Sequence, residues 1–351
     1  MRPIILIILI IICPIIAAND LVEEIAEIIS NQHIDKPTKP DFSTILPDAV
    51  NKYLQAIDPY SKYLTATEYE QLQDNKSIGI GAKIVTSEQG TLIVPFYQGP
   101  AFRAGINKPM LLLSVNGIPV TTMDISSILN LFRENDKIIV ESLSDNIPSI
   151  NTVNRQPYIL PSVQVIKAKK TYVRINRFTA RKTADKLKKI LSNNSLHNDL
   201  IIDLREATGG DLYETLDCLS LFLPPGKLLV TTINNNNQTR KYYSIPNQLI
   251  FDKITLLVGP RTASSAEIFA KALQYYQQAT LVGQKTYGKC VSQTYINLSD
   301  GSALKLTNLK LFYPDSTFCN GKGLVPDVLL DDKQLYEPFN KQLQSYRKLN
   351  N

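Results

Sequence analysis

Residues 199–223 read DLIIDLREATGGDLYETLDCLSLFL, and the conformation of their first few residues decides the architecture. Leu200, Ile201 and Ile202 are apolar at successive positions, with Leu204 just beyond. Successive side chains of a strand point to opposite faces, so such a run is buried on both. That is the pattern of a parallel sheet covered by helices rather than of a sheet with one wet face. The stretch then turns through Gly209 and Gly210 and continues as the helical pattern LYETLDCLSLFL.

The same alternation repeats on both sides. YVRINRF (172–178) reads as a strand, and TADKLKKIL (183–191) as a helix with Ala184, Leu187 and Leu191 on one face. ITLLV (254–258) is a strand, AEIFAKALQYY (266–276) a helix and TLV (280–282) a short strand. Strands alternating with helices imply an α/β layered core. INNNNQ (233–238) reads as a solvent loop, and the stretch after Asp331 carries no assignable pattern.

Upstream the texture differs. IGIGAKIVT (78–86), GTLIVPF (90–96), LLLSVNG (111–117) and KIIVESL (137–143) read as short strands, with GPAFRAGI and SSILNLFR as short helices between them. They form a compact α+β module. Earlier still, LVEEIAEII, ILPDAVNKYLQAI and ATEYEQLQ carry helical stripes too short for a core of their own. The expected fold is therefore multidomain α/β and α+β. Its expected parts are a signal peptide (1–18), a helical region (19–75), the α+β module (76–145), the layered core (146–330) and a tail (331–351).

The 351 residues carry a formal charge of +6, 44% hydrophobic and 20% charged residues. The basic residues are scattered, Lys167–Lys170 being among the few short clusters, whereas phosphate binding wants a concentrated basic face. No nucleic-acid partner is expected. MRPIILIILIIICPIIAAND (1–20) has a basic start, an apolar run and small residues at Ala17 and Ala18. The run is shorter than the ~20 apolar residues of a membrane span and suits a secretory signal. A location outside the cytoplasm, periplasmic or secreted, follows, with membrane attachment only if the segment stays uncleaved. Beyond it stand Cys218, Cys290 and Cys319, an odd number at wide spacing. They suggest neither a disulfide framework nor a metal site, although one pair can form in an oxidising compartment.

Reactive candidates come from three stretches. RTASSAEIFAKAL (261–273) sets Ser264 and Ser265 ahead of a helix. Ser264-x-x-Glu267 is a capping box in its plain reading. In the other reading, Ser264 is a nucleophile beside the unpaired amides of a helix start. The only histidines, His33 and His197, stand in ordinary polar surroundings, so the base must be another residue type. GQKTYGKCVSQ (283–293) offers Lys285 and Lys289. A lysine base must be neutral near pH 7, roughly 3 units below its ordinary value of about 10.4, at about 4 kcal/mol against the ammonium. Burial can supply that, and a solvated loop cannot. DLREATGG (203–210) ends a buried strand in two glycines, which either serve a plain turn or let backbone amides approach a ligand.

Several further segments fall in a characteristic order. AIDPYSKYLTATEYEQL (56–72) is followed by SIGIGAKI (77–84), GPAFRAGI, SVNG, DLREATGG, VGPRTASSAEIFAKAL, VGQKTYGKCVSQ, DGSALKLTNLKLFYP and GKGLVPDV. This series resembles the carboxyl-terminal processing (tail-specific) serine peptidases, a family with a PDZ module and a Ser–Lys dyad. The resemblance implies an inserted PDZ-like domain at 76–145 and a peptidase core. It puts the nucleophile on Ser264, the base on Lys289 and a lysine-orienting glutamine on Gln293. The oxyanion hole falls on the Ser265 amide with one from the glycine pair, Gly210 ahead of Gly209. Ile78, Gly79, Ile80 and Gly81 would bind a substrate's carboxyl terminus, the tail adding as a strand beside the module's helix.

Metal and organic cofactors are not required by such chemistry. The implied partners are proteins with accessible carboxyl-terminal tails, and a homo-oligomer or an adaptor is compatible with the resemblance. The chain departs from the family at Cys290, Thr208 and Ser265, and carries Asn107-Lys108-Pro109-Met110 where Gly-Asp is usual. Cys290 adds bulk beside the base. The alternatives are a non-catalytic binder of carboxyl-terminal peptides, its dyad misaligned by Cys290, and a membrane-anchored scaffold that keeps residues 1–18.

Overall fold

The structure, a computed structural model, describes residues 12–38, 47–73, 77–87, 90–96, 98–144, 147–158, 160–166, 171–192 and 199–331. Most of the proposed signal segment, Lys167–Lys170, His197 and nearly all of the tail lie outside these residues. Among the described residues, no helix is long and apolar enough to cross a membrane. They divide into two compact units: residues up to Glu70 with those from Ser162 onward, and Gln71–Pro161.

The first unit is organised around the stretch quoted above. Asp199–Asp203 is a central strand, parallel to Thr171–Ile175 on one side and to Lys253–Val258 on the other. Thr280–Gly283 and Val328–Leu329 extend the parallel order, and Val163–Ile166 adds an antiparallel edge. Helices Thr183–Ser192, Leu212–Ser220 and Ser265–Tyr275 contribute Leu187, Leu219, Phe269 and Leu273 to the same core as Leu200, Ile202 and Leu256, all fully buried or nearly so. Each such aliphatic side chain contributes about 1.5–3 kcal/mol on leaving water.

A second sheet in this unit was not legible in the sequence. Leu228–Asn234 pairs with Thr239–Tyr243 and with Ala303–Phe312, which also pairs with Val291–Asn297 and Lys62–Leu64, all antiparallel. INNNNQ is the tip of its hairpin: the Asn234 amide donates to the Gln238 carbonyl, and Asn237 adopts φ 59°.

The early helices Ile12–Gln32 and Pro47–Ile57 do bury their stripes on another element. Ile25, Ile29, Val50 and Leu54 pack with Leu298, Leu304 and Leu306 of the second sheet. The region expected as a separate part at 19–75 is thus, up to Glu70, integral to the first unit.

In the second unit, strands Ala82–Ser87, Gly90–Pro95, Met110–Val115, Lys137–Ser144 and Ile147–Asn154 form a sheet in that order, all antiparallel. The short helices Pro100–Arg103 and Ile125–Leu131 accompany it, and Asp124 caps the second by accepting from the Ser127 amide. The expected boundary at 145/146 moves to 161/162. The physical reason is pairing: Lys137–Ser144 is matched along its whole length by Ile147–Asn154, and Gln156–Tyr158 returns to pair with Ser77–Gly79.

Candidate active site

In a parallel sheet, ligand sites form where the chain leaves the carboxyl ends of the strands. Here two adjacent strands deliver the candidates: Asp203 leads to Gly209 and Gly210, and Val258 leads to Ser264. The two loops are stitched together. Thr262 Oγ1 donates to the Leu204 carbonyl at 2.8 Å, and the Ala263 amide donates to the Ala207 carbonyl at 3.0 Å. Below them Asp203 accepts from Tyr172, Arg174 and Arg205. Burial opposes its charge, yet the two guanidiniums hold its carboxyl far below the usual range.

The glycine pair is required by close approach. A Cβ on Gly209, at φ 99°, would stand 2.9 Å from the Ser264 Cβ. A Cβ on Gly210, at φ 144°, would stand 2.1 Å from the Phe178 carbonyl oxygen. Phe178 bonds to the flanking residues instead, donating to the Gly209 carbonyl and accepting from the Asp211 amide. Among the described residues, the amides of Gly210 and Ser265 donate to no acceptor, which is what an oxyanion hole needs.

Ser264 stands at the start of helix Ser265–Tyr275 with φ 59° and ψ −127°, a conformation that non-glycine residues hold only under constraint. The constraint is Glu267. Its Oε2 accepts the Ser264 amide at 2.9 Å, and the Glu267 amide donates to the Ser264 backbone carbonyl at 2.8 Å. The capping box read from Ser264-x-x-Glu267 is present.

Glu267 also holds the other candidate loop. The same Oε2 accepts the Lys289 amide at 2.8 Å, and Oε1 accepts from the Gly288 amide at 2.8 Å and the Thr286 hydroxyl at 2.5 Å. One fully buried carboxylate oxygen thus ties the backbone of Ser264 to that of Lys289. Burial pushes the Glu267 carboxyl up, against these four donors. The sequence flags Glu267 only as a helix cap, because its second set of partners depends on tertiary structure.

Of the two lysines, Lys285 is exposed and Lys289 half-buried. Burial, and then the positive charge of Lys305, push the Lys289 amine down to about 8, with Asp58 pulling the other way. Its Nζ donates to Gln293 Oε1 at 2.7 Å and lies 4.7 Å from the centre of the Tyr60 ring. Among the described residues no hydrogen bond joins this amine to the Ser264 hydroxyl.

Two sequence expectations are corrected. Cys290 was expected to crowd the base, but its side chain is buried in the core and disulfide-bonded to Cys319, leaving Cys218 free. The three cysteines thus do contain a pair, closing a loop of sequence separation 29. Such a closure contributes on the order of 3 kcal/mol through the unfolded chain. His33 is not in ordinary polar surroundings: it is fully buried, with Nε2 2.8 Å from Asp58.

In the second unit, Ile80 and Gly81 use their carbonyls to accept from Ala101 and Phe96, while their amides find no acceptor among the described residues. Ile78 is 57% exposed, and Gly79 lies in the short strand paired with Gln156–Tyr158. The next strand, Ala82–Ser87, is an edge of its sheet, and helix Ile125–Leu131 packs near it.

Residues 169–330 match the family model described as Peptidase family S41. Similar proteins include one of Staphylococcus aureus described as a "Probable CtpA-like serine protease", 29% identical over 333 residues. A protein of Staphylococcus epidermidis with the same description is 27% identical over 332 residues. Each alignment takes in 91% of this chain and 66% of the relative, so the chain spans 66% of the length of the curated relatives it matches. A solved photosystem II D1 C-terminal processing protease shares the fold, with a TM-score of 0.63 and 22% identity. That likeness covers 90% of this chain and 93% of the other.

Proposed function

We propose that this protein is a serine endopeptidase that cuts proteins near their carboxyl-terminal tails, with Ser264 as nucleophile and Lys289 as general base and then acid. The observation that carries the reading is the shared carboxylate oxygen of Glu267, which holds both reactive residues in register while the lysine is desolvated. In the first half-reaction the Ser264 hydroxyl gives its proton to the neutral Lys289 amine, and its oxygen attacks the scissile carbonyl carbon. The Ser265 and Gly210 amides stabilise the resulting oxyanion, and Gly209 makes the close approach sterically feasible. The ammonium returns its proton to the leaving amine, giving an acyl-enzyme. Water, deprotonated by the same amine, then releases the acyl group as a carboxylic acid and restores the serine.

Selection of tails is assigned to the second unit, read as a PDZ-like module. The amides of Ile80 and Gly81, which find no acceptor among the described residues, suit a carboxylate, and the position of Ala82–Ser87 at the end of its sheet's strand order suits an added strand. A location outside the cytoplasm is supported by the Cys290–Cys319 disulfide together with the signal-like start. Loss of residues 1–18 from the mass of the mature chain is its test, and their retention would favour the anchored alternative.

Digestion of casein by the purified protein tests the activity. A base held at about 8 is about one-tenth neutral at pH 7, so cleavage should climb nearly tenfold from pH 7 to a plateau above pH 9. A flat profile from pH 6 to 9, or no digestion at any pH, overturns the reading. In the same assay a short apolar peptide with a free carboxyl terminus should compete, and its amidated twin should not. Equal competition by both removes the tail-binding role from residues 78–81.

A further inference from the structure

The hydrogen-bond line that begins at Lys289 continues past Gln293. Gln293 Nε2 donates to Thr307 Oγ1 at 3.1 Å, and Thr307 Oγ1 donates to Asp58 Oδ1 at 3.2 Å. Asp58 lies just beyond helix Pro47–Ile57. Its carboxylate also accepts from the amides of Tyr60 (2.6 Å) and Ser61 (3.0 Å), the Ser61 hydroxyl (2.5 Å) and His33 Nε2 (2.8 Å). The Asp35 amide donates to His33 Nδ1 at 3.2 Å, so Nε2 carries the ring hydrogen. The Thr307 amide donates to the Ser61 hydroxyl at 3.0 Å, which ties the two segments a second time.

The far end of this line dictates the direction of every bond in it. An ionised carboxylate can only accept. Burial opposes ionisation of Asp58, but hydrogen bonds from His33, Ser61 and the Tyr60 amide hold it down at about 2. Thr307 must therefore give its hydroxyl hydrogen to Asp58 and offer its lone pairs to Gln293 Nε2. The Gln293 amide is then turned so that Oε1 faces Lys289. With the amide reversed, an Nε2 hydrogen would point into the lone pair of the neutral amine, the same pair that must receive the serine proton.

The sheet register arranges this contact. Along Val291–Asn297 and Ala303–Phe312, Ser292 is opposite Leu309 but Gln293 is opposite Thr307, so Asn308 is bulged out. Without the bulge Asn308 would face Gln293. Bulges beside active sites commonly re-aim a side chain in this way. Thr307 is 1% exposed, so no bulk water competes for its hydroxyl.

We propose that Thr307, anchored by Asp58, is a positioning residue that fixes the Gln293 amide and so keeps the Lys289 lone pair available to Ser264. The inference rests on the Ser264–Lys289 reading above. The charged and titratable groups around the lysine are Asp58, Lys305 and the Tyr60 phenol, with Glu267 on its backbone amide.

The experiment compares the wild type with Thr307→Val, which keeps the shape and removes the hydroxyl, and with Thr307→Ser, which restores it. Casein digestion is followed against pH, and acetylation of the Lys289 amine by dilute acetic anhydride is followed by mass spectrometry over the same range. The second readout titrates the amine without needing catalysis. For Thr307→Val the plateau kcat should fall about tenfold with KM unchanged. Its alkaline limb and its acetylation midpoint should both move to lower pH, because a freed Gln293 can turn its donor toward the neutral amine. Thr307→Ser should recover the wild-type limb and most of the plateau.

A Thr307→Val protein that cleaves and acetylates like the wild type overturns the inference and leaves the dyad reading intact. Equal losses in both variants, tracking a fall in melting temperature without a shift in either midpoint, also overturn it. Wild-type cleavage that persists in Ser264→Ala fails the dyad reading itself, and the acetylation midpoints still decide whether Thr307 orders the amide.

Discussion

Ser264→Ala and Lys289→Ala should each abolish casein digestion, lowering kcat by about 10⁴–10⁶-fold, the range seen when one member of a nucleophile–base unit is removed. The double variant should be no worse than either single one, because a nucleophile without a base and a base without a nucleophile are equally idle. Lys289→Arg sharpens the test. It keeps a cation in place, but a guanidinium cannot be deprotonated in a protein and so cannot accept the serine proton. If the positive charge alone mattered, Lys289→Arg would retain activity; with a proton acceptor required, it should be as inactive as Lys289→Ala. Melting temperatures should stay close to wild type, since both side chains are only half-buried. Cleavage within tenfold of wild type by any of these variants would move the nucleophile or base to other residues.

Glu267→Gln should be nearly as damaging, for a different reason. The carboxylate accepts from Ser264, Lys289, Gly288 and Thr286, and all four are donors. An amide there has one acceptor oxygen, and its NH2 group would face backbone hydrogens. At least one buried amide is left unpaired, which costs about 1–3 kcal/mol of stability. With its NH2 on the Oε2 side the side chain releases both Ser264 and Lys289, and on the Oε1 side it releases Gly288 next to Lys289. Displacements of about 1 Å in such constellations can cost 10²-fold. The expected outcome is a kcat loss of about 10²–10³-fold together with a melting temperature lower by several degrees. A Glu267→Gln protein with the stability and turnover of the wild type would show that the two loops are held in register by something else.

Much of the fold could be read before any coordinates, because its signals are local. The doubly apolar strand 199–203 and the stripe at Ala266, Phe269, Ala270 and Leu273 need no partner to be recognised. The antiparallel sheet escaped notice since Ala303–Phe312 alternates imperfectly around Asn308, the bulged residue. Ile147–Asn154 is mostly exposed and begins with Ile-Pro, which hid the true end of the second unit. In the candidate site, Ser264, Lys289 and Gln293 stand in short motifs that proposed them, whereas Glu267 read only as a cap. His33, Asp58 and Thr307 meet from distant parts of the chain, and nothing in their own neighbourhoods announces it. The Cys290–Cys319 bond was equally invisible, because spacing alone does not say which buried thiols approach each other.

The closure of Asp58 onto Thr307 spans 249 residues. A polypeptide still emerging from the ribosome, or one clipped anywhere ahead of residue 307, cannot complete the scaffold behind the lysine. Contacts this remote in sequence form late and slowly, after the local helices and hairpins are in place. Completion of that scaffold is thereby deferred until residue 307 has been made, although Lys289 and Gln293 precede it.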